Sequence, residues 1–273
     1  MQFKQHLGFF LRSFFLQTGW NFLKYQNLGL FFVMWPFLKK LYQQDRDALP
    51  SVVDRYLATF NTQPVLASFC FGALAKQEEI IAQTKTLTAF NEEITEWNSI
   101  KRGLTITTAS IGDRLFWGTL KPLTLLLALF IWLLLGLHLF EVNPVPNPPL
   151  LYVLAASAAA FFTFNAIALF VKWQGIKIGY DTDANGCFGL IKFDWNRTIY
   201  NAKMIGLILT IALIALGLYT HFKDFYVGDI QFITRALIVL FFVCISFITR
   251  RLRIPNMYLY LAAIAVFNIT CYL

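Results

Sequence analysis

Two short polar strings carry the side chains best suited to binding chemistry. The first is Asn61-Thr62-Gln63-Pro64. Its two amides each offer donors and an acceptor. That suits a sugar, whose hydroxyls both donate and accept. The plainer reading is a turn and cap, because the residue before a proline avoids helical geometry. The second string is Gly112-Asp113-Arg114-Leu115-Phe116-Trp117-Gly118-Thr119, followed by Pro122. Asp113 is a good N-cap for a helix starting there, favoured by the helix dipole. Nothing else in the chain has catalytic spacing. His6, His138 and His221 are far apart, and no glycine-rich phosphate loop, nucleophile elbow or metal-ligand spacing occurs. His138 lies near the end of an apolar run, where an ionisable group is either functional or within reach of the interface. Cys70, Cys187, Cys244 and Cys271 form no CxxC pair and read as small hydrophobes. The expectation is therefore a binding or translocating protein that is not catalytic by itself, with no metal and no cofactor.

The elements that must position these strings follow from composition. Of 273 residues, 58% are hydrophobic and 14% charged, well below the quarter charged of a soluble domain. That excludes disorder, and four cysteines exclude a disulfide scaffold. Apolar runs occupy 123–140, 150–173, 204–220, 236–249 and 257–273. A spanning helix needs about 20 residues, so the fourth run is short. The loop 141–149 has no Lys or Arg, whereas 172–203 has five and 250–253 has three. Basic loops stay cytoplasmic, so the runs alternate across the membrane. The net charge of +8 thus reads as orientation, and no nucleic-acid partner is expected. The N-terminus lacks the pattern of a cleavable signal peptide.

Residues 1–122 differ. They hold 13 of the 23 basic residues and 9 of the 15 acids. Phe3, Leu7, Phe10, Phe14, Phe22 and Tyr25 recur near helical spacing among polar residues, which predicts an amphipathic interfacial helix with Trp20 at headgroup level. A second helix is expected from Ser51, with Val53, Tyr56, Leu57 and Phe60 on one face, stopping near Pro64. A third should run over 65–82. A fourth is expected from Asn91, with Ile94, Trp97, Ile100 and Leu104 on one face. Glu78 and Glu79 are expected on a solvated face or paired with a neighbour. Short apolar segments broken by a polar turn predict a re-entrant helical hairpin, in which protein or water must satisfy the backbone.

The ordered residues resemble a family, the IID membrane component of the mannose/fructose/sorbose type of the bacterial phosphotransferase system. The resemblance runs through Phe10-Leu11-Arg12-Ser13, Trp20-Asn21-Phe22, Gln26-Asn27-Leu28-Gly29, Pro36 and Lys39-Lys40-Leu41-Tyr42. Phe60-Asn61-Thr62-Gln63-Pro64 is its most recognisable string, and Gly72, Ala75, Glu78 and Glu79 follow at the expected spacing. Gly112-Asp113, Phe116-Trp117-Gly118-Thr119 and Pro122 match a second signature. Asn165, Lys172-Trp173, Gly175, Gly179-Tyr180, Arg250-Arg251 and Pro255 continue it. It is dense to about residue 122 and thin after 180. Three departures stand out. Residues 106–110 replace a Gly-Pro-rich stretch, Arg114 stands where proline is common, and Thr234-Arg235 replaces Pro-Gly. Losing Gly and Pro straightens a broken segment toward regular helix.

The resemblance implies an all-α, multi-pass helical membrane protein of the bacterial inner membrane. It would pair with a IIC subunit in a hetero-oligomer and pass sugar to cytoplasmic IIA and IIB units, whose histidines carry the phosphoryl group. Residues 1–122 would form an interfacial, hairpin-containing half and 123–273 a transmembrane half. Asn61, Thr62, Gln63, Asp113 and Trp117 are the expected sugar-binding residues, with Asp113 holding the hairpin or helix start beside the site and Trp117 stacking on the sugar or lining its path. Pro64, Gly112, Gly118 and Pro122 are expected to shape the motifs. The alternative is a diverged, non-transporting scaffold or receptor of the same fold, since family members also dock certain bacteriocins.

Overall fold

The computed structural model describes residues 1–84, 87–140 and 150–222. The runs at 236–249 and 257–273, the loop 141–149, Cys244 and Cys271 lie outside the described residues. So do the side chains of His138 and His221. By contact the chain divides into units 1–213 and 214–273. Among the described residues there is no strand, only isolated bridges of Asn21 with Tyr25 and of Tyr25 with Phe60.

The helices are α1 (Phe3–Arg12), α2 (Asn27–Leu41), α3 (Leu49–Leu57), α4 (Ala67–Gln83), α5 (Leu87–Gly112), α6 (Lys121–Phe140), α7 (Leu150–Asp181) and α8 (Trp195–Phe222). A π-helical segment, Asp113–Leu120, joins α5 to α6 without a break. The expected helix breaks around Pro64 occur: α3 ends with Ala58 extended, and α4 starts after the proline. Two starts differ from expectation. α3 begins at Leu49, because Pro50 sits in the first turn, where its missing N–H costs nothing. α5 begins a turn before Asn91, which lies inside it.

α4 is the centre of the first unit. Phe69, Phe71, Leu74 and Glu78 on it are all buried. It crosses α7 at very short range. A Cβ on Gly72 would fall 2.1 Å from the Ile176 carbonyl oxygen, and one on Gly179 would fall 2.3 Å from that of Phe69. Gly175 likewise has Ser68 and Phe69 against it. Gly175-x-x-x-Gly179 is the small-residue spacing that lets helix backbones approach in membranes. Tyr180 reinforces the crossing by donating its hydroxyl to Glu79.

α1 lies on α7 through aromatic contact. The His6 ring is 4.1 Å from that of Trp173, and its Nε2 donates to the Trp173 carbonyl at 3.0 Å. Among the described residues, three helical stretches are long and apolar enough to cross a membrane: Asn91–Leu135, Leu150–Asp181 and Cys187–Gly217. They contain the second expected run and overlap most of the first and third. Their outward side chains are large and apolar, including Leu125, Leu129, Phe161, Phe162, Ile208 and Ile211. So large an apolar surface is tolerable in lipid and not in water. The chain is a helical membrane protein.

Candidate functional site

The break between α3 and α4 is held open by amides from the start of α2. Gln26 stands in for a strand. Its Nε2 donates to the Thr62 carbonyl at 2.9 Å, its Oε1 accepts from the Thr62 N–H at 3.0 Å, and its own N–H donates to the Phe60 carbonyl at 2.8 Å. Asn27 donates to the Leu57 carbonyl at 2.8 Å, satisfying the end of α3, and accepts from Asn21. The Phe60 and Thr62 groups are off any helix and buried, and the Leu57 carbonyl is at a helix end, so each needs such a partner.

The four residues of the first string then do different things. Asn61 is exposed. Thr62 is buried, and its hydroxyl meets that of Thr108 on α5 at 2.7 Å. Thr108 donates onward to the Leu104 carbonyl, so Thr62 is the donor of the pair. Gln63 is buried, and its Oε1 accepts from the N–H groups of Val65 and Leu66 at 2.7 and 3.0 Å. It thus satisfies donors at the entry of α4, the work of a cap. Pro64 follows it and ends the extended stretch.

Gly112 touches this cap directly, since a Cβ there would lie 2.4 Å from Gln63 Cβ. The two sequence motifs therefore meet at Gln63 and Gly112. Asp113 does not start a helix. It lies within a continuous helical stretch, exposed and with no side-chain cap bond. The physical reason is that residues 106–110 hold no Gly or Pro, so α5 stays regular. Pro122 still cannot donate to a carbonyl one turn back, and the π-helical segment absorbs that misfit. Thr119 marks the wide turn by donating to the Arg114 carbonyl at 2.8 Å. Gly118 and Trp117 lie on its exposed side, with the Lys121 ammonium 4.9 Å from the Trp117 ring centre.

Asn61 opens on a polar cavity of about 800 Å³, formed with Ala58 and Thr59 on one side and α5 on the other. The α5 wall carries Thr95, Asn98, Ser99, Lys101, Arg102 and Thr105. Asp113 and Trp117 do not line it. The volume lies within the roughly 300–1,000 Å³ of small-molecule sites. Lys101 is buried, and its ammonium donates to the carbonyls of Arg55 and Ala58 at 2.9 and 3.3 Å. A cation on carbonyls at the end of α3 also matches that helix dipole.

Sequence reasoning missed this polar stripe, although its helical spacing on α5 was a readable signal. Of the two expectations for Glu78, a solvated face or a paired neighbour, the second holds, with Arg55 as the partner. Glu78 is fully buried, bonded by Arg55 Nη2 at 2.9 and 3.0 Å and by the Tyr42 hydroxyl at 2.7 Å. Burial weighs against the Arg55 charge, but Glu78 more than offsets it and raises the guanidinium pKa. Burial, then the adjacent carboxylate, push the Tyr42 phenol up as well. Cys70 is inert: burial lifts its thiol to about 12. Among the described residues, His, Cys, Asp and Glu form no group of three that could hold a metal ion.

Comparison with known proteins extends this picture. Residues 2–133 match the family model described as the mannose/fructose/sorbose family IID component of the phosphotransferase system. The mannose-specific EIID component of Escherichia coli (strain K12) is 32% identical over 175 residues, 63% of this chain and 53% of that protein. The fructose permease IID component of Bacillus subtilis (strain 168) is 35% identical over 177 residues, 65% of this chain and 56% of that protein. The chain thus spans about half the length of these curated relatives. A solved structure described only as a membrane protein superposes with a TM-score of 0.64 at 23% identity, covering 99% of this chain and 96% of that one, so the fold is shared. Over residues 2–133, where both polar motifs and their clamp lie, the chain is similar to the mannose/fructose/sorbose family of IID components of the phosphotransferase system.

Proposed function

We propose that the chain is the IID membrane subunit of a sugar permease. It forms a translocation path with a IIC subunit and delivers sugar to IIA and IIB units that carry the phosphoryl group. It would lie in the bacterial inner membrane as a multi-pass subunit of a hetero-oligomer, its basic loops cytoplasmic, with residues 1–122 as the interfacial half and 123–273 as the spanning half. The supporting observation is the rigid presentation of Asn61. The amides of Gln26 and Asn27 fix the backbone on either side of it, and its own side chain is left to the polar cavity.

In this reading Asn61 hydrogen-bonds the sugar, assisted by the hydroxyls and amides of α5. Thr62 and Gln63 set the height of the loop. Trp117 stacks on the sugar or lines its path at a later point, and Asp113 stands beside it. Phosphoryl transfer stays on other chains. The test is co-purification with a candidate IIC subunit, followed by phosphoenolpyruvate-dependent sugar uptake in vesicles. Joint purification and uptake support the permease. A chain that purifies alone and supports no uptake contradicts it.

One observation favours a non-transporting scaffold or receptor: the helix from α5 to α6 is continuous where a translocating core would be broken. A gene next to IIC and IIB genes fits transport, and an isolated gene fits the scaffold.

A further inference from the structure

A second cavity, of about 760 Å³, lies between α5 and the turn joining α7 to α8. Its walls are apolar, with Leu104 and Ile111 from one side and Phe188, Ile191 and Phe193 from the other. Two charged residues line it, Arg114 and Asp194. Asp194 is engaged, because its carboxylate accepts from the Arg197 N–H at 2.9 Å at the start of α8. Arg114 is exposed, and among the described residues its guanidinium makes no ion pair or hydrogen bond. An apolar wall with one unpaired cation at its edge complements an amphiphile with an anionic head.

The surroundings indicate which amphiphile. Arg114 lies just before α6, and Trp195 opens α8. The two helices touch, since a Cβ on Gly206 would lie 3.7 Å from Leu123 and 3.9 Å from Leu126. Their outer faces, with Leu125, Leu129, Ile205 and Ile208 exposed, continue the groove into lipid-facing surface. The turn is built to stay at that level. Cys187, Phe188 and Gly189 have φ of 43, 50 and 81°, which turns Phe188 inward and leaves Ile191 and Phe193 outside. Trp195 spends its indole N–H on the Leu190 carbonyl at 2.7 Å. Exposed aliphatic and aromatic residues beside Lys192 and Arg197 are the pattern of a membrane–water interface. Basic pockets between helices on the cytoplasmic side recognise lipid head groups.

We propose that this groove holds one acyl chain of an anionic phospholipid, with the lipid phosphate on the Arg114 guanidinium. The groove shares only Ser99 with the lining of the Asn61 cavity, and its occupancy does not depend on sugar uptake.

Cys187 lines the groove and is exposed, so it reports occupancy. Cys70 is buried, and Cys244 and Cys271 are replaced by serine for the test. The full chain in detergent is treated with a maleimide. Phosphatidylglycerol, phosphatidylcholine or inorganic phosphate is added in parallel, and bound lipid is counted by native mass spectrometry. One phosphatidylglycerol per chain should be retained and slow Cys187 labelling about tenfold. Phosphatidylcholine and inorganic phosphate should do neither. Arg114→Gln should weaken phosphatidylglycerol retention about tenfold, as expected for one lost charge-assisted contact. Gly103 lines the groove and a Cβ there meets nothing within 4 Å, so Gly103→Leu should fill the space and abolish protection without lowering the melting temperature. Equal protection by phosphatidylcholine or by phosphate overturns the proposal. So does wild-type retention in both variants, or a Cys187 that is unreactive before any lipid is added.

Discussion

Gln63 and Gly112, from the two polar motifs, are in direct contact. A Cβ on Gly112 would lie 2.4 Å from Gln63 Cβ and 2.7 Å from its Cγ. The Gln63 carbonyl oxygen of the side chain meanwhile caps the entry to α4. The contact therefore couples the last turn of α5 to the loop that carries Asn61. Gly112→Ala should push the cap out of place and lower stability by about 1–3 kcal/mol, the usual cost of overpacking. The melting temperature in detergent measures this. An unchanged melt would mean that the loop yields freely.

Asn61 and Gln63 should separate in mutagenesis. Asn61→Ala removes an exposed side chain and should leave the melt unchanged while raising the sugar concentration for half-maximal uptake about tenfold, the effect of one or two hydrogen bonds. Gln63→Ala removes a cap and should lower stability by about 1–2 kcal/mol, with any uptake defect following from that. Melting and uptake measured on the same preparations distinguish the two.

The buried pair behind the cavity makes a sharper prediction. Glu78→Gln leaves Arg55 charged, buried and without its counter-ion. The expected loss is about 3–5 kcal/mol, the typical cost of breaking one partner of a buried pair. Replacing both, as Arg55→Met with Glu78→Leu, should be milder than Glu78→Gln. Expression level and melting temperature rank the variants. A double variant worse than Glu78→Gln would assign the pair a net stabilising role beyond charge compensation.

His6 gives the pH dependence. Burial, opposed in part by its bond to the Trp173 carbonyl, lowers the imidazole pKa from 6.5. The folded state therefore favours the neutral ring, and the unfolded chain takes up the proton first. Its contribution is fully present above pH 6.5 and is lost as the pH falls through the lowered folded value. His6→Asn keeps a donor for Trp173 but does not titrate. Its melting temperature should fall less than wild type between pH 8 and pH 5.

Much of the fold was legible because it is written locally. The runs that became α6, α7 and α8 stand out by length and apolarity alone. Pro64 marks a real break, and Ile94, Trp97, Ile100 and Leu104 share a face of α5 that is buried or half-buried. What stayed hidden is written between distant residues. Gln26 meets Thr62 and Tyr42 meets Glu78 across 36 positions, and such pairings leave no periodic trace. Asp113 looked like a helix start because its type suits a cap. In the structure the helix runs through it, since no Gly or Pro in 106–110 interrupts α5. Thr108, which stands in that altered stretch, bonds to Thr62 and replaces flexibility with a fixed contact. The polar stripe of Thr95, Asn98, Arg102 and Thr105 had helical spacing, but it was masked by the apolar face of the same helix.

The most direct test of the account is phosphoenolpyruvate-dependent sugar uptake in vesicles holding this chain and a candidate IIC subunit, with Asn61→Ala beside wild type. The account predicts uptake by wild type that requires both chains, and weakened uptake by the variant at equal membrane content and equal melting temperature. Wild-type uptake that is indifferent to this chain, or an Asn61→Ala variant with unchanged kinetics, would contradict it.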